Sequence, residues 1–184
     1  MRTQPGASRG RHRRATDVPL VVVGAERIAG ALDAAVAESG LDSGRVIGLG
    51  ALDDEDYSTA LSLATALVYP GIGNEFGSPM LEAMALAVPV IHAATPSLVE
   101  VAGDAGVSIP CADLAAYPGL LAEAIDRVLG DDELRKTLSI IGEDRGSLFT
   151  WRAVGEGVWQ LHADLWPSRS AAPGRSPVDR PTPH

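Results

Sequence analysis

The chain has 184 residues, 46% hydrophobic and 21% charged, enough apolar mass to bury the core of one ordinary domain. Its one cysteine, Cys111, excludes a disulfide framework and a multi-cysteine metal site, and no apolar run reaches the roughly 18 residues of a membrane span. The net charge of −9 divides into +5 over residues 1–16, −16 over residues 17–166 and +2 over residues 167–184; so acidic a body repels a nucleic-acid backbone and excludes general DNA or RNA binding.

In chain order, residues 1–17 mix Arg, Gly, Ser and Pro without apolar periodicity and read as a disordered head. Pro19–Gly24 (PLVVVG) reads as a buried strand, Glu26–Ser39 as a helix stopped by Gly40, and Arg45–Leu49 as a second strand. Asp53–Ala64 reads as a helix whose acidic start suits the positive end of the helix dipole. Ala66–Tyr69 is a third strand, closed by Pro70. Pro79–Leu86 is a helix, and Val88–His92 a fourth strand. Ser97-x-x-Glu100 has the form of a capping box opening a helix over Ser97–Val101. Val107–Ile109 is a last strand, followed by helices Leu114–Leu129, Asp132–Gly142 and Trp151–Leu165. Trp151, Trp159 and Trp166 share a helical spacing and are expected to pack that last helix down. Residues 167–184, rich in Pro, Ser and Arg, read as a disordered tail.

Alternation of apolar strands with helices predicts an α/β fold: a Rossmann-like, doubly wound parallel sheet with helices on both faces, over residues 18–166. Such sheets bind ligands at the carboxyl ends of their strands. No signal peptide is visible, so a soluble cytoplasmic protein is expected.

The chemistry concentrates between Val68 and Ala85. A strand ends at Pro70, a loop carries Gly71, Gly73 and Gly77, and Ser78-Pro79 opens a helix. Serine is a favoured N-cap, and proline after it wastes no N–H. The free amides of that first turn and the dipole behind them form an anion site. Gly77, lacking a side chain, is expected to let a ligand approach the backbone. Glu82, one turn into the helix, suits a neutral diol, which donates two hydrogen bonds to one carboxylate. Diphosphate on amides and ribose on a carboxylate describe a nucleotide sugar. An ordinary strand–loop–helix connection with a surface glutamate is the competing reading.

The order Phe76-Gly77-Ser78-Pro79-x-Leu81-Glu82-Ala83-Met84-Ala85, followed by Val88-Pro89-Val90-Ile91, resembles the donor-site signature of retaining GT-B glycosyltransferases of family 4. Val21-Val22-Val23-Gly24, Arg45-Val46-Ile47-Gly48-Leu49-Gly50, Ser97–Ala105 and Phe149-Thr150-Trp151 resemble the family's flanking motifs in the same order, over about residues 19–165. The resemblance implies the C-terminal half of a GT-B fold that binds a nucleoside diphosphate sugar. It implies Asn74, Glu75, Phe76 and Gly77 at the donor sugar, and Gly77, Ser78, Pro79, Leu81 and Glu82 at phosphate and ribose. It places the base near Val46 and Gly50. It implies no metal and no cofactor beyond the nucleotide-sugar substrate.

Two departures stand beside it. Aligned on Phe76-Gly77, the family's first glutamate falls on Asn74, and Glu75 is one residue out of register. Either residue is left able to hold the sugar. The family's acceptor domain, and the opening strand with its diphosphate-binding Arg and Lys, have no counterpart here. The expectation is the donor part of an enzyme, truncated or paired with a separately encoded acceptor domain, and inactive alone. A non-catalytic nucleotide-binding remnant and a nucleotide-sugar epimerase of GT-B form are the alternatives. His92 reads as a satisfied strand-end histidine, Cys111 as a passive thiol, and Tyr57 as either a packing residue or a neighbour of the base.

Overall fold

The structure, a computed structural model, describes residues 18–24, 29–40, 43–73 and 75–166. The expected head and tail, the start of the first predicted helix and Asn74 lie outside the described residues. The elements follow the expected alternation. Strand β1 (Leu20–Val23) leads to helix α1 (Ala29–Ser39), a short 3-10 turn, β2 (Val46–Leu49), α2 (Asp54–Ser62) and β3 (Leu67–Tyr69). Then come α3 (Ser78–Ala85), β4 (Val90–Ala93), α4 (Pro96–Ala102), β5 (Gly106–Ile109), α5 (Tyr117–Gly130) and α6 (Asp132–Ser147).

All strand pairs are parallel, as the fully apolar runs imply. They form two sheets rather than the single one expected: β1 with β2, and β3–β4–β5 with β4 in the centre. Leu20, Val21 and Val23 of β1 are exposed, although the sequence reads as a buried strand.

The larger sheet is covered on both faces. Val90 of β4 packs into a cluster with Leu61, Met80, Ala83, Met84, Leu98 and Ala102, contributed by α2, α3 and α4. The next residue, Ile91, points the other way, to Ile109, Ala124, Val128 and Leu138 on β5, α5 and α6. All four residues of β4 are buried.

Several boundaries differ from expectation for identifiable reasons. The acidic run does cap α2: Asp53 Oδ1 accepts from the Asp56 amide at 2.9 Å, with Asp54, Glu55 and Asp56 in the first turn. Helix α4 is capped by Thr95, whose Oγ1 accepts from the Leu98 amide at 3.4 Å with Pro96 just inside the helix, so Ser97 is not the cap. Helix α6 runs past Gly142 to Ser147 because its glycines face α3. A Cβ on Gly146 would lie 2.9 Å from the Ala85 backbone nitrogen, and one on Gly142 3.5 Å from Met84 Cγ. Arg145 on the same helix donates to the Val101 and Glu100 carbonyls at 2.8 and 2.7 Å, satisfying the end of α4. Ala87, at φ 56, closes α3 in the left-handed region, with the Ala87 amide donating to the Met84 carbonyl and the Val88 amide to the Ala83 carbonyl, both at 2.9 Å.

Helix α7 (Trp151–Leu165) belongs to a separate unit beginning at Phe149. It is capped by Thr150, whose hydroxyl accepts from the Ala153 amide at 3.1 Å. Its apolar stripe buries nothing: Trp151, Trp159 and Trp166 are 90%, 72% and 62% exposed, contrary to the packing role expected of them. Trp159, His162 and Trp166 stack in a row along it.

Candidate functional site at the carboxyl end of the larger sheet

The connection from β3 to α3 leaves the sheet at the end where parallel sheets bind ligands. Its centre is Gly77. The residue sits at φ 78, ψ 40, in the left-handed region, and caps α3. The expected cap, Ser78, is instead the first helical residue and Pro79 the second. The reason for the glycine also differs from expectation. A Cβ there would lie 2.7 Å from Leu98 Cδ2 and 3.0 Å from Met80 Sδ, so the empty space faces the core, not a ligand. The Met80 amide closes the turn on the Gly77 carbonyl at 2.9 Å. Ser78 remains exposed in the first turn, where the dipole is positive.

Two carboxylates flank this turn. Glu82 is exposed on α3. Tyr57 of α2 packs on the core cluster with its phenol near the Glu82 carboxylate. Burial, then the Glu82 charge, push the Tyr57 phenol up to about 12. Of the two sequence readings of Tyr57, the packing one is what its contact with the core cluster shows. The second carboxylate is Glu75. Its Oε2 accepts from the Tyr69 hydroxyl at the end of β3. That bond, then burial and the carboxylate charge, push Tyr69 up to about 12 as well. Both phenols therefore stay protonated donors at neutral pH. A third tyrosine, Tyr117, donates to the Pro70 carbonyl at 3.0 Å and fixes the start of the loop.

A pocket of about 520 Å³ opens beside this loop, lined among others by Ile72, Gly73, Ala94, Pro110 and Cys111. It lies at the carboxyl ends of β4 and β5. Below it His92, fully buried, has Nδ1 2.9 Å from the Ala93 carbonyl oxygen, while Nε2 has no partner among the described residues. It is half satisfied, not satisfied as expected. Burial lowers its basicity.

The structure gathers Glu75, Phe76, Gly77, Ser78, Pro79 and Glu82 on one loop and helix start. Leu81 lies half-buried against the core cluster. Gly50 follows the carboxyl end of β2, and its carbonyl accepts from the Gly24 amide at 3.2 Å. Val46 sits at the opposite end of the same strand, roughly 13 Å away at 3.3 Å per residue, so these two candidates do not share a ligand-binding end. Tyr57 and Tyr69 are the residues that the motif reading failed to join to the carboxylates. The available signal was that Tyr57 heads the acidic helix and Tyr69 ends the strand entering the loop.

The family profile of Glycosyl transferases group 1 matches residues 7–131. The O-antigen chain mannosyltransferase B of Escherichia coli is 33% identical over 116 residues, covering 63% of this chain and 29% of that protein. The phosphatidyl-myo-inositol mannosyltransferase of Mycobacterium leprae is 30% identical over 125 residues, 66% of this chain and 32% of that protein. The chain thus spans between about a quarter and a third of the length of the curated relatives it matches. Among solved structures, the sucrose-phosphate synthase of Thermosynechococcus elongatus superposes with a TM-score of 0.65 at 26% identity, over 82% of this chain and 46% of that one. HepE of Anabaena, solved with UDP and glucose, superposes with a TM-score of 0.69 at 20% identity, over 81% of this chain and 41% of that one, a likeness of fold. With the profile covering most of its described strands and helices, the chain belongs to the group 1 glycosyl transferases.

Proposed function

We propose that the chain is the donor-binding part of a retaining glycosyltransferase and takes a nucleoside diphosphate sugar at the β3–α3 connection. The observation that carries this reading is the pair of carboxylates on one loop and helix start, Glu75 held by the Tyr69 hydroxyl and Glu82 on α3 beside Tyr57. The diphosphate faces the first turn of α3 at Gly77, Ser78 and Pro79, with Leu81 two positions on. Glu82 receives the ribose diol, the base lies toward Gly50, and the sugar lies toward Glu75 and Phe76. The solved HepE complexes with UDP and glucose and with UDP-glucose support a donor of this class.

In the reaction the bond from the anomeric carbon to the diphosphate breaks and one to an acceptor oxygen forms on the same face. The acceptor proton leaves with the diphosphate. Negative charge grows on that leaving group, where fixed amides and the α3 dipole stabilise it without reorganisation. Acceptor positioning is the work of a second domain, so the chain by itself binds donor without transferring it.

The test is calorimetric titration with UDP and GDP, paired with an assay for released sugar. Glu82→Gln removes a charge-assisted contact and weakens binding roughly tenfold or more, with melting unchanged because Glu82 is exposed. Equal affinity of the two forms removes Glu82 from the site, and sustained sugar transfer by the wild-type chain overturns the need for a second domain.

A further inference from the structure

The sequence leaves the sugar with two claimants, Asn74 and Glu75. The loop is built around the second. Glu75 turns back on its own backbone, and two glycines make room for it: a Cβ on Gly71 would lie 3.2 Å from Oε2, and one on Gly73 3.4 Å from Oε1. Tyr69 donates to Oε2 from the strand end. Tyr117 holds the neighbouring Pro70 carbonyl at 3.0 Å, so strand end and loop start are tied to α5. Gly73, which clears space for Oε1, also lines the 520 Å³ pocket. The carboxylate thus lies against a residue that lines a cavity large enough for a sugar ring. A carboxylate accepts about four hydrogen bonds, and Tyr69 takes one.

We propose that Tyr69 is a positioning residue of the donor-sugar subsite, its hydroxyl fixing Glu75 so that this carboxylate, not Asn74, receives a pair of adjacent sugar hydroxyls. The inference rests on the proposed nucleotide-sugar function and adds the residue that sets sugar recognition. A carboxylate already ordered pays no rotamer entropy when the sugar arrives, whereas a free glutamate must be immobilised. Adjacent hydroxyls match the two oxygens of one carboxylate, so a donor sugar deoxygenated at either position is bound less well.

The experiment measures the ratio of affinities for UDP-glucose over UDP, and for GDP-mannose over GDP. It compares the wild-type chain, Tyr69→Phe, Glu75→Ala, their double variant and Asn74→Ala, with melting curves on all five. Tyr69→Phe keeps the ring and deletes the hydroxyl. It is expected to lower the sugar preference roughly three- to tenfold while leaving the affinity for the bare nucleotide within about twofold. Glu75→Ala abolishes the preference, Asn74→Ala keeps it, and the double variant is no worse than Glu75→Ala, since Tyr69 acts through Glu75. The inference is overturned by an unchanged ratio in Tyr69→Phe, by a further loss in the double variant, or by parallel loss of sugar and nucleotide binding. A wild-type chain that binds UDP or GDP without preferring the sugar form overturns it and leaves the nucleotide site standing. A wild-type chain that binds none of the four ligands overturns the proposed function as well.

Discussion

Replacing Gly77 with alanine separates two reasons for a glycine at the candidate site. If the glycine serves the fold, Gly77→Ala costs stability on two counts. An L-residue in the left-handed region costs about 1–2 kcal/mol. The new Cβ would also meet Leu98 Cδ2 at 2.7 Å and Met80 Sδ at 3.0 Å. Both side chains are fully buried, so neither can swing into solvent. Overpacking of this kind costs about 1–3 kcal/mol. Alanine restricts the unfolded chain and returns about 0.4–1 kcal/mol. The net loss is about 3 kcal/mol, a fall in melting temperature of roughly 6–12 °C for a chain of this size. Thermal unfolding followed by far-UV circular dichroism reads it directly. Gly73→Ala is the internal control, because its Cβ would meet only the exposed Glu75 side chain at 3.4 Å. A second comparison isolates the clash. Leu98→Ala removes the contacting methyl, so the double variant should lose less than the two single variants together. If Gly77→Ala melts with the wild type but no longer binds nucleotide, the core-facing argument is wrong and the glycine serves ligand approach.

Ala87→Gly should stabilise the chain by about 0.5–1 kcal/mol, since Ala87 holds a left-handed φ at the end of α3 that glycine adopts freely; a melting temperature unchanged or lowered would refute strain there. His92 supplies a pH dependence. Burial keeps it neutral in the folded state and lowers its pKa below 6.5, so beneath that pH the unfolded chain binds a proton that the folded chain does not. Stability falls with acidification by about 1.4 kcal/mol per pH unit until the folded pKa is reached. Urea unfolding at pH 7 and 5.5 should show a shallower acid loss for His92→Asn than for wild type, and parallel losses would refute the assignment.

What the sequence discloses about this fold is its local chemistry. The order of strands and helices follows from apolar runs and their punctuation, and α7 was placed to the residue by the Thr150-Trp151 start. The errors are non-local. Ser78-Pro79 and Thr95-Pro96 carry the same cap-and-proline signature, yet only the second is a side-chain cap. At the first, packing of Leu98 against Gly77 moves the helix start one residue earlier, and no pattern within the loop encodes Leu98.

The site divides along the same line. Gly77, Ser78, Pro79 and Glu82 are consecutive on one loop and helix, so their order alone brings them together. Their partners are not encoded nearby: Tyr57 reaches Glu82 from another helix, and Tyr69 reaches Glu75 only because the loop between them turns back. The one-residue offset of Glu75 shows why this matters. Read as a motif, the offset removes a glutamate from the place where the family resemblance expects it. Read in three dimensions, the glycines at 71 and 73 give the carboxylate room to fold back onto the strand end. A side chain on a loop that turns back is located by where its carboxylate is held, not by its count along the chain. For this site the informative residue is therefore the tyrosine that holds the carboxylate, and sugar preference should follow the Tyr69 hydroxyl more closely than the identity of residue 74.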